Sequence, residues 1–143
     1  MKVAVVALVA ACSGGSPDLS KPISCDRDGA DVIGDLGGID GPVRFGPVEA
    51  QLFSRVAETP QTLRLTDGEM SLSFYLEYDD IPPPVGEYDK HAALVVAGDS
   101  YNGNGTLTVD ASDWPEDTSQ RCFAGRFEQT FLDGTLAGWF RVP

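Results

Sequence analysis

Between Glu69 and Tyr78 the side chains alternate without a slip. Met70, Leu72, Phe74 and Leu76 fall on one parity, and Ser71, Ser73, Tyr75 and Glu77 on the other. A period of two over that length is the pattern of a strand with one buried and one wetted face. No window of the chain carries a sustained helical period with caps, and glycine or proline recurs about every eight to twelve residues, the spacing of turns between short strands. The sequence therefore predicts an all-β domain, an antiparallel β-sandwich or barrel-like fold of about seven or eight short strands.

The rest of the chain can be placed around that strand. Gln61 to Thr66 alternates Leu63 and Leu65 against polar residues, and Asp67-Gly68 is a hairpin signal that pairs it with the segment beginning at Glu69. Upstream, Val32-Ile33 marks one brief strand and Val48 to Val56 another, while Pro17 to Pro22 reads as linker. Pro82-Pro83-Pro84 lacks the backbone donors of a strand interior, so Asp79 to Gly86 is expected to be a loop, partly polyproline. His91 to Ala97 and Thr106 to Ala111 read as strands, with Asp99 to Gly105 between them as a turn rich in residues that tolerate positive φ. Asp113 to Ser119 is an acidic loop. The end of the chain forms a hairpin, Arg121 to Phe131 and Leu136 to Val142, about Leu132-Asp133-Gly134-Thr135. On it Phe123, Gly125, Phe127, Gln129 and Phe131 face Leu136, Gly138 and Phe140, with Trp139 and Arg141 on the other side beside Arg126 and Glu128.

At the N-terminus Lys2 precedes an unbroken apolar run, Val3 to Ala11. The run has the length of a secretory h-region and is too short for the roughly 20 residues of a membrane span. Val9-Ala10-Ala11-Cys12 resembles the lipobox of bacterial lipoproteins. The resemblance implies cleavage before Cys12, a diacylglyceryl group on its sulfur and an acylated new N-terminus, and several acyl chains anchor a protein stably. A plain secretory signal with an incidental cysteine is the alternative. Ser13 stands where inner-membrane members of the family carry aspartate, which implies the outer membrane. The domain plan that follows is a signal peptide over 1–11, lipidated Cys12 with a flexible tether over 12–24, and the β domain over 25–143. With Cys12 lipidated, two of the three cysteines, Cys25 and Cys122, remain. An oxidising compartment would pair them as a disulfide.

The C-terminal half carries a second resemblance. Gly86-Glu87-Tyr88, Tyr101, Gly105-Thr106-Leu107-Thr108-Val109, Cys122-Phe123-Ala124-Gly125-Arg126-Phe127, Asp133-Gly134 and Gly138-Trp139-Phe140-Arg141-Val142 follow in order. The set is similar to small β-rich lipoproteins of Gram-negative bacteria, whose terminal hairpins read G-x-F … G-x-F-x-V. That likeness implies a fold and a location, and no activity.

The formal net charge is −12. Loss of Met1 to Ala11 would remove Lys2 and leave nine basic against 22 acidic residues. Acidity spread along a whole chain opposes nucleic acid and anionic lipid surfaces and favours solubility. Catalysis has little to stand on: there is one histidine, His91, no nucleophile-elbow serine, and no free thiol once the cysteines pair. With 22 acidic residues some carboxylates will be neighbours by chance, and the sequence selects no glycosidase pair. The chain is therefore read as a non-enzyme with no required cofactor.

Calcium is the cofactor held open. Asp26, Asp28 and Asp31, with Asp35, lie on a Gly-rich stretch, and hard oxygen ligands on flexible backbone suit Ca²⁺. The spacing departs from an EF-hand, with Ala30 at position five, Asp31 at the glycine position and Gly37 at the bidentate glutamate; a solvated turn is the plain alternative. Asp113, Glu116 and Asp117 form a second acidic group. For recognition, Trp114 and Tyr101 are the candidate ligand-binding residues, with Tyr75, Tyr78 and Tyr88 as further aromatics, set against ordinary core and cross-strand packing. The expectation is a lipid-anchored envelope lipoprotein with a non-catalytic binding or structural role. Its rivals are a calcium-dependent binding or adhesion module and a small envelope hydrolase. Its partners would be the membrane through Cys12 and an envelope protein or a glycan.

Overall fold

The structure, a computed structural model, describes residues 17–27, 29–34, 36, 45–54, 57, 60–77, 81–132 and 134–142. Eight strands form one antiparallel sheet: β1 (Gly29–Ile33), β2 (Glu49–Phe53), β3 (Gln61–Thr66), β4 (Ser71–Leu76), β5 (Gly86–Val96), β6 (Asp99–Asp113), β7 (Cys122–Phe131) and β8 (Gly134–Val142). Their order is β1-β8-β7-β6-β5-β4-β3-β2. From β2 to β8 each strand pairs with the next along the chain, and β1 closes against β8. An isolated bridge from Ala30 to Val48 brings the two ends of the sheet together. The expected all-β antiparallel fold thus takes its barrel-like form, one sheet curled nearly shut rather than two sheets stacked. Curling hides the edges that an open sheet would expose.

Alternation along the strands builds the interior. Leu63, Leu65, Leu72, Phe74, Leu76, Leu94, Leu107, Phe123, Leu136 and Phe140 are at most 1% exposed. The Phe74 and Phe127 rings lie 5.3 Å apart and tilted, as do Phe123 and Phe140. Burying each such side chain stabilises the fold by about 1.5–3 kcal/mol. The terminal hairpin has the register expected from parity, with Gly125 opposite Phe140, Phe127 opposite Gly138 and Gln129 opposite Leu136.

The β5–β6 connection differs from expectation. Asp99 to Gly105 is not a turn but the first half of β6, paired residue for residue with Gly105 opposite Lys90 and Asp99 opposite Val96. The turn is two residues long, Ala97 and Gly98, both at positive φ (51° and 87°). Such a loop matches the twist of a hairpin. The glycines at 103 and 105 serve close approach instead. A Cβ on Gly103 would come within 2.7 Å of the Phe131 ring, and one on Gly105 would overlap the Glu128 carbonyl.

The β3–β4 turn is fixed by Asp67. Its carboxylate accepts backbone N–H bonds from Glu69 (2.9 Å), Met70 (2.8 Å) and Gly46 (3.0 Å). Partial burial works to raise its pKa, but those N–H groups outweigh it and hold the carboxyl below its ordinary value. Asp67→Ala is expected to cost about 1.5 kcal/mol at neutral pH. Because the folded pKa is depressed, that contribution is complete above the ordinary value of about 3.9. It is lost as pH falls through the lower folded value. Urea melts of the protein and the variant should therefore differ by a constant amount near pH 7 and converge below about pH 3.9. A gap that did not narrow in acid would show that the loop is held by something other than the charge.

Candidate functional site

The two cysteines beyond Cys12 are bonded to each other. Cys25 and Cys122 form a disulfide with Cα atoms 5.9 Å apart, joining the residues before β1 to the start of β7. Cys12 itself and the signal segment lie outside the described residues, as does Asp28.

The bond is part of a strap. Residues 17–25 run over the outside of β6, β7 and β8, where a linker was expected. Ile23 is 3% exposed and packs with Cys122, Ala124 and Trp139, with Leu19 and Cys25 beside them. The anchor for this strap is a bulge. Pairing of β6 with β7 slips between Val109 and Ala111, leaving Asp110 as the extra residue. The Asp110 carboxylate accepts from the Ile23 backbone N–H at 2.9 Å and from Arg126 Nε at 3.1 Å. Arg126 Nη1 in turn donates to the Leu19 carbonyl at 2.8 Å. Arg27 lies over the Trp139 ring, 5.3 Å from its centroid.

The calcium candidates sit on either side of the first bend into β1. Asp26 is exposed, its carboxylate accepting from Ser24 Oγ at 3.3 Å. Asp31 is on β1, opposite Trp139 on the outer face. Among the described residues, no three His, Cys, Asp or Glu side chains gather as a metal site. In the second acidic group Asp117 turns inward on its own loop, accepting from the Ser119 backbone and hydroxyl at 3.0 and 2.7 Å. Those hydroxyl and backbone bonds hold its carboxyl below the ordinary value.

Trp114 and Tyr101 stand at opposite ends of β6, so the fold does not join them into one platform. Trp114 is half-buried against the core, and the Arg121 guanidinium lies 4.9 Å from its ring centroid. Arg121 is fixed there by a 2.9 Å bond from Nε to the Pro115 carbonyl. One ring face is thereby covered. Tyr101 is 45% exposed, opposite Leu94, on the inward parity of β6. Tyr75 is 49% exposed on the outward parity of β4, so these two tyrosines face different sides of the sheet. Tyr88 donates its hydroxyl to the Pro84 carbonyl at 2.6 Å, and Tyr78 is outside the described residues.

A group that was not singled out as a set lies across β5 and β6. Asp89 is opposite Thr106 and His91 opposite Asn104, all on the outward face. With Lys90 and Gly105 they line an open depression of about 320 Å³. Sequence pattern alone puts Asn104 in a turn, which hides its pairing with His91 and with it the depression. Compared with known protein families, curated proteins and solved structures, the chain matches none.

Proposed function

We propose that this chain is a lipid-anchored envelope lipoprotein, held by acylated Cys12, whose β domain binds a ligand and catalyses nothing. The observation that carries the reading is the Cys25–Cys122 bond. It consumes both downstream cysteines in a pairing suited to an oxidising compartment and leaves Cys12 as the third cysteine of the sequence. The binding part is supported by the depression on β5 and β6, whose lining offers hydrogen-bonding groups around His91. Bound lipid and a docked strap would together set the domain close to the membrane surface.

Intact-mass measurement and non-reducing peptide mapping of the protein extracted from its native membrane test this. The expected result is a chain beginning at Cys12, heavier by a diacylglyceryl and an N-acyl group, with the Cys25 and Cys122 peptides joined. A chain that still starts at Met1, unacylated and with three free thiols, would overturn it.

A further inference from the structure

We infer that the outer face of β5 and β6 is a binding site for a neutral oligosaccharide. This rests on the binding-module reading above and names its ligand class.

The site is built from two cross-strand pairs, Asp89 with Thr106 and His91 with Asn104. Between them the chain passes Gly105, which has no side chain, and a depression of about 320 Å³ opens there to solvent. That is the lower end of the size range for small-molecule sites. The four side chains supply a carboxylate, an imidazole, an amide and a hydroxyl. Together they hold both donors and acceptors within one residue pair of each other, which is what a row of sugar hydroxyls requires. Their hydrogen-bonding capacity is unspent. Among the described residues none of the four has an intramolecular side-chain partner. By contrast Asp18, Asp67, Asp110 and Asp117 are each tied into a turn or an ion pair.

An apolar surface stands beside the polar one. Tyr75 and His91 lie one step beyond the Phe74–Ala92 pair on their strands, both outward. Half-exposed Tyr75 offers its ring to the C–H face of a pyranose while the polar group takes the hydroxyls. Charge decides against other ligands. Within the lining Asp89 stands against Lys90, whose ammonium already lies 3.9 Å from the Glu77 carboxylate, and the net charge of −12 over the whole chain repels nucleic acid, phosphates and anionic lipid. One carboxylate and one imidazole are too few for a metal cage. The openness of the depression suits a chain that passes over the face rather than a molecule enclosed by it.

The test uses the full mature chain extracted in a detergent that carries no sugar. Cellohexaose, chitohexaose, laminarihexaose and maltohexaose are titrated by saturation-transfer NMR, with hexalysine as the cationic comparison. At least one hexasaccharide should saturate with a dissociation constant of about 10 µM to 1 mM, as expected for a shallow, open site. Asn104→Ala and Tyr75→Ala should each weaken it by about tenfold or more, which a surface truncation of a central contact delivers. Leu132→Ser, on the far β7–β8 turn, should leave it unchanged. All three positions are exposed, and an unchanged melting curve confirms that each variant folds. The inference is overturned if none of the four sugars saturates, if binding survives both site variants, or if hexalysine binds in their place. Sugar binding by an unacylated chain would sink the anchor and leave this site standing; an acylated chain that binds no sugar would do the reverse.

Discussion

Replacing both bridge cysteines, Cys25→Ala with Cys122→Ala, is expected to lower stability by about 4 kcal/mol, or roughly 15 °C in melting temperature for a domain of this size. The sequence separation across the bond is 97 residues. Closing a loop of about 100 residues removes enough freedom from the unfolded chain to be worth roughly 4.7 kcal/mol in the chain-entropy model. A native-state contribution adds to this, because Cys122 is 4% exposed in the small cluster with Ile23, Ala124 and Trp139. Two features argue for a somewhat smaller net figure. The unfolded chain retains some compactness. The alanines also keep most of the apolar volume at those positions. Urea melts of the oxidised protein and the double variant measure the difference directly. A loss below about 1 kcal/mol would mean that packing alone holds the strap and β1 in place.

Much of this fold was legible because strands with one buried face announce themselves. Met70 to Leu76 alternates so cleanly that its partner, its turn at Asp67-Gly68 and its inward set follow directly, and Phe123 to Phe140 behaves the same way. What could not be read is whatever depends on contacts distant in sequence. Gly103 and Gly105 look like turn residues because locally nothing else explains them. The reasons they are glycine are the Phe131 ring and the Glu128 carbonyl, both on the neighbouring strand. Pro17 to Pro22 has a linker's composition, and its docking hangs on Asp110 and Arg126, more than eighty residues away. The candidate site was hidden for the first of these reasons. With Asn104 placed in a turn, His91 had no companion, and once β6 runs unbroken from Asp99 to Asp113 the four polar side chains fall together on one face.

Arg126→Met should cost about 3 kcal/mol, at the lower end of the range for stripping one partner from a buried ion pair. Asp110 is the reason. Its side chain is 4% exposed, and Arg126 holds it through two bonds, Nε to Oδ2 at 3.1 Å and Nη2 to Oδ1 at 3.2 Å. Methionine keeps the stem's packing but leaves the carboxylate with the Ile23 N–H at 2.9 Å as its remaining donor, and it also orphans the Leu19 carbonyl. Arg126 retains 22% exposure, so water can relieve part of the penalty. Adding Asp110→Asn to Arg126→Met should then recover stability, since the neutral amide removes the uncompensated charge. The same strap is held at one end by the disulfide and along its length by this pair. A double-mutant cycle between Arg126→Met and the two cysteine replacements should therefore be sub-additive by about 1 kcal/mol, because a strap already loosened by either change has less to lose from the other. Strict additivity in the urea melts would mean that the disulfide acts on the unfolded chain alone and that Arg126 and Asp110 stabilise the sheet with or without the strap.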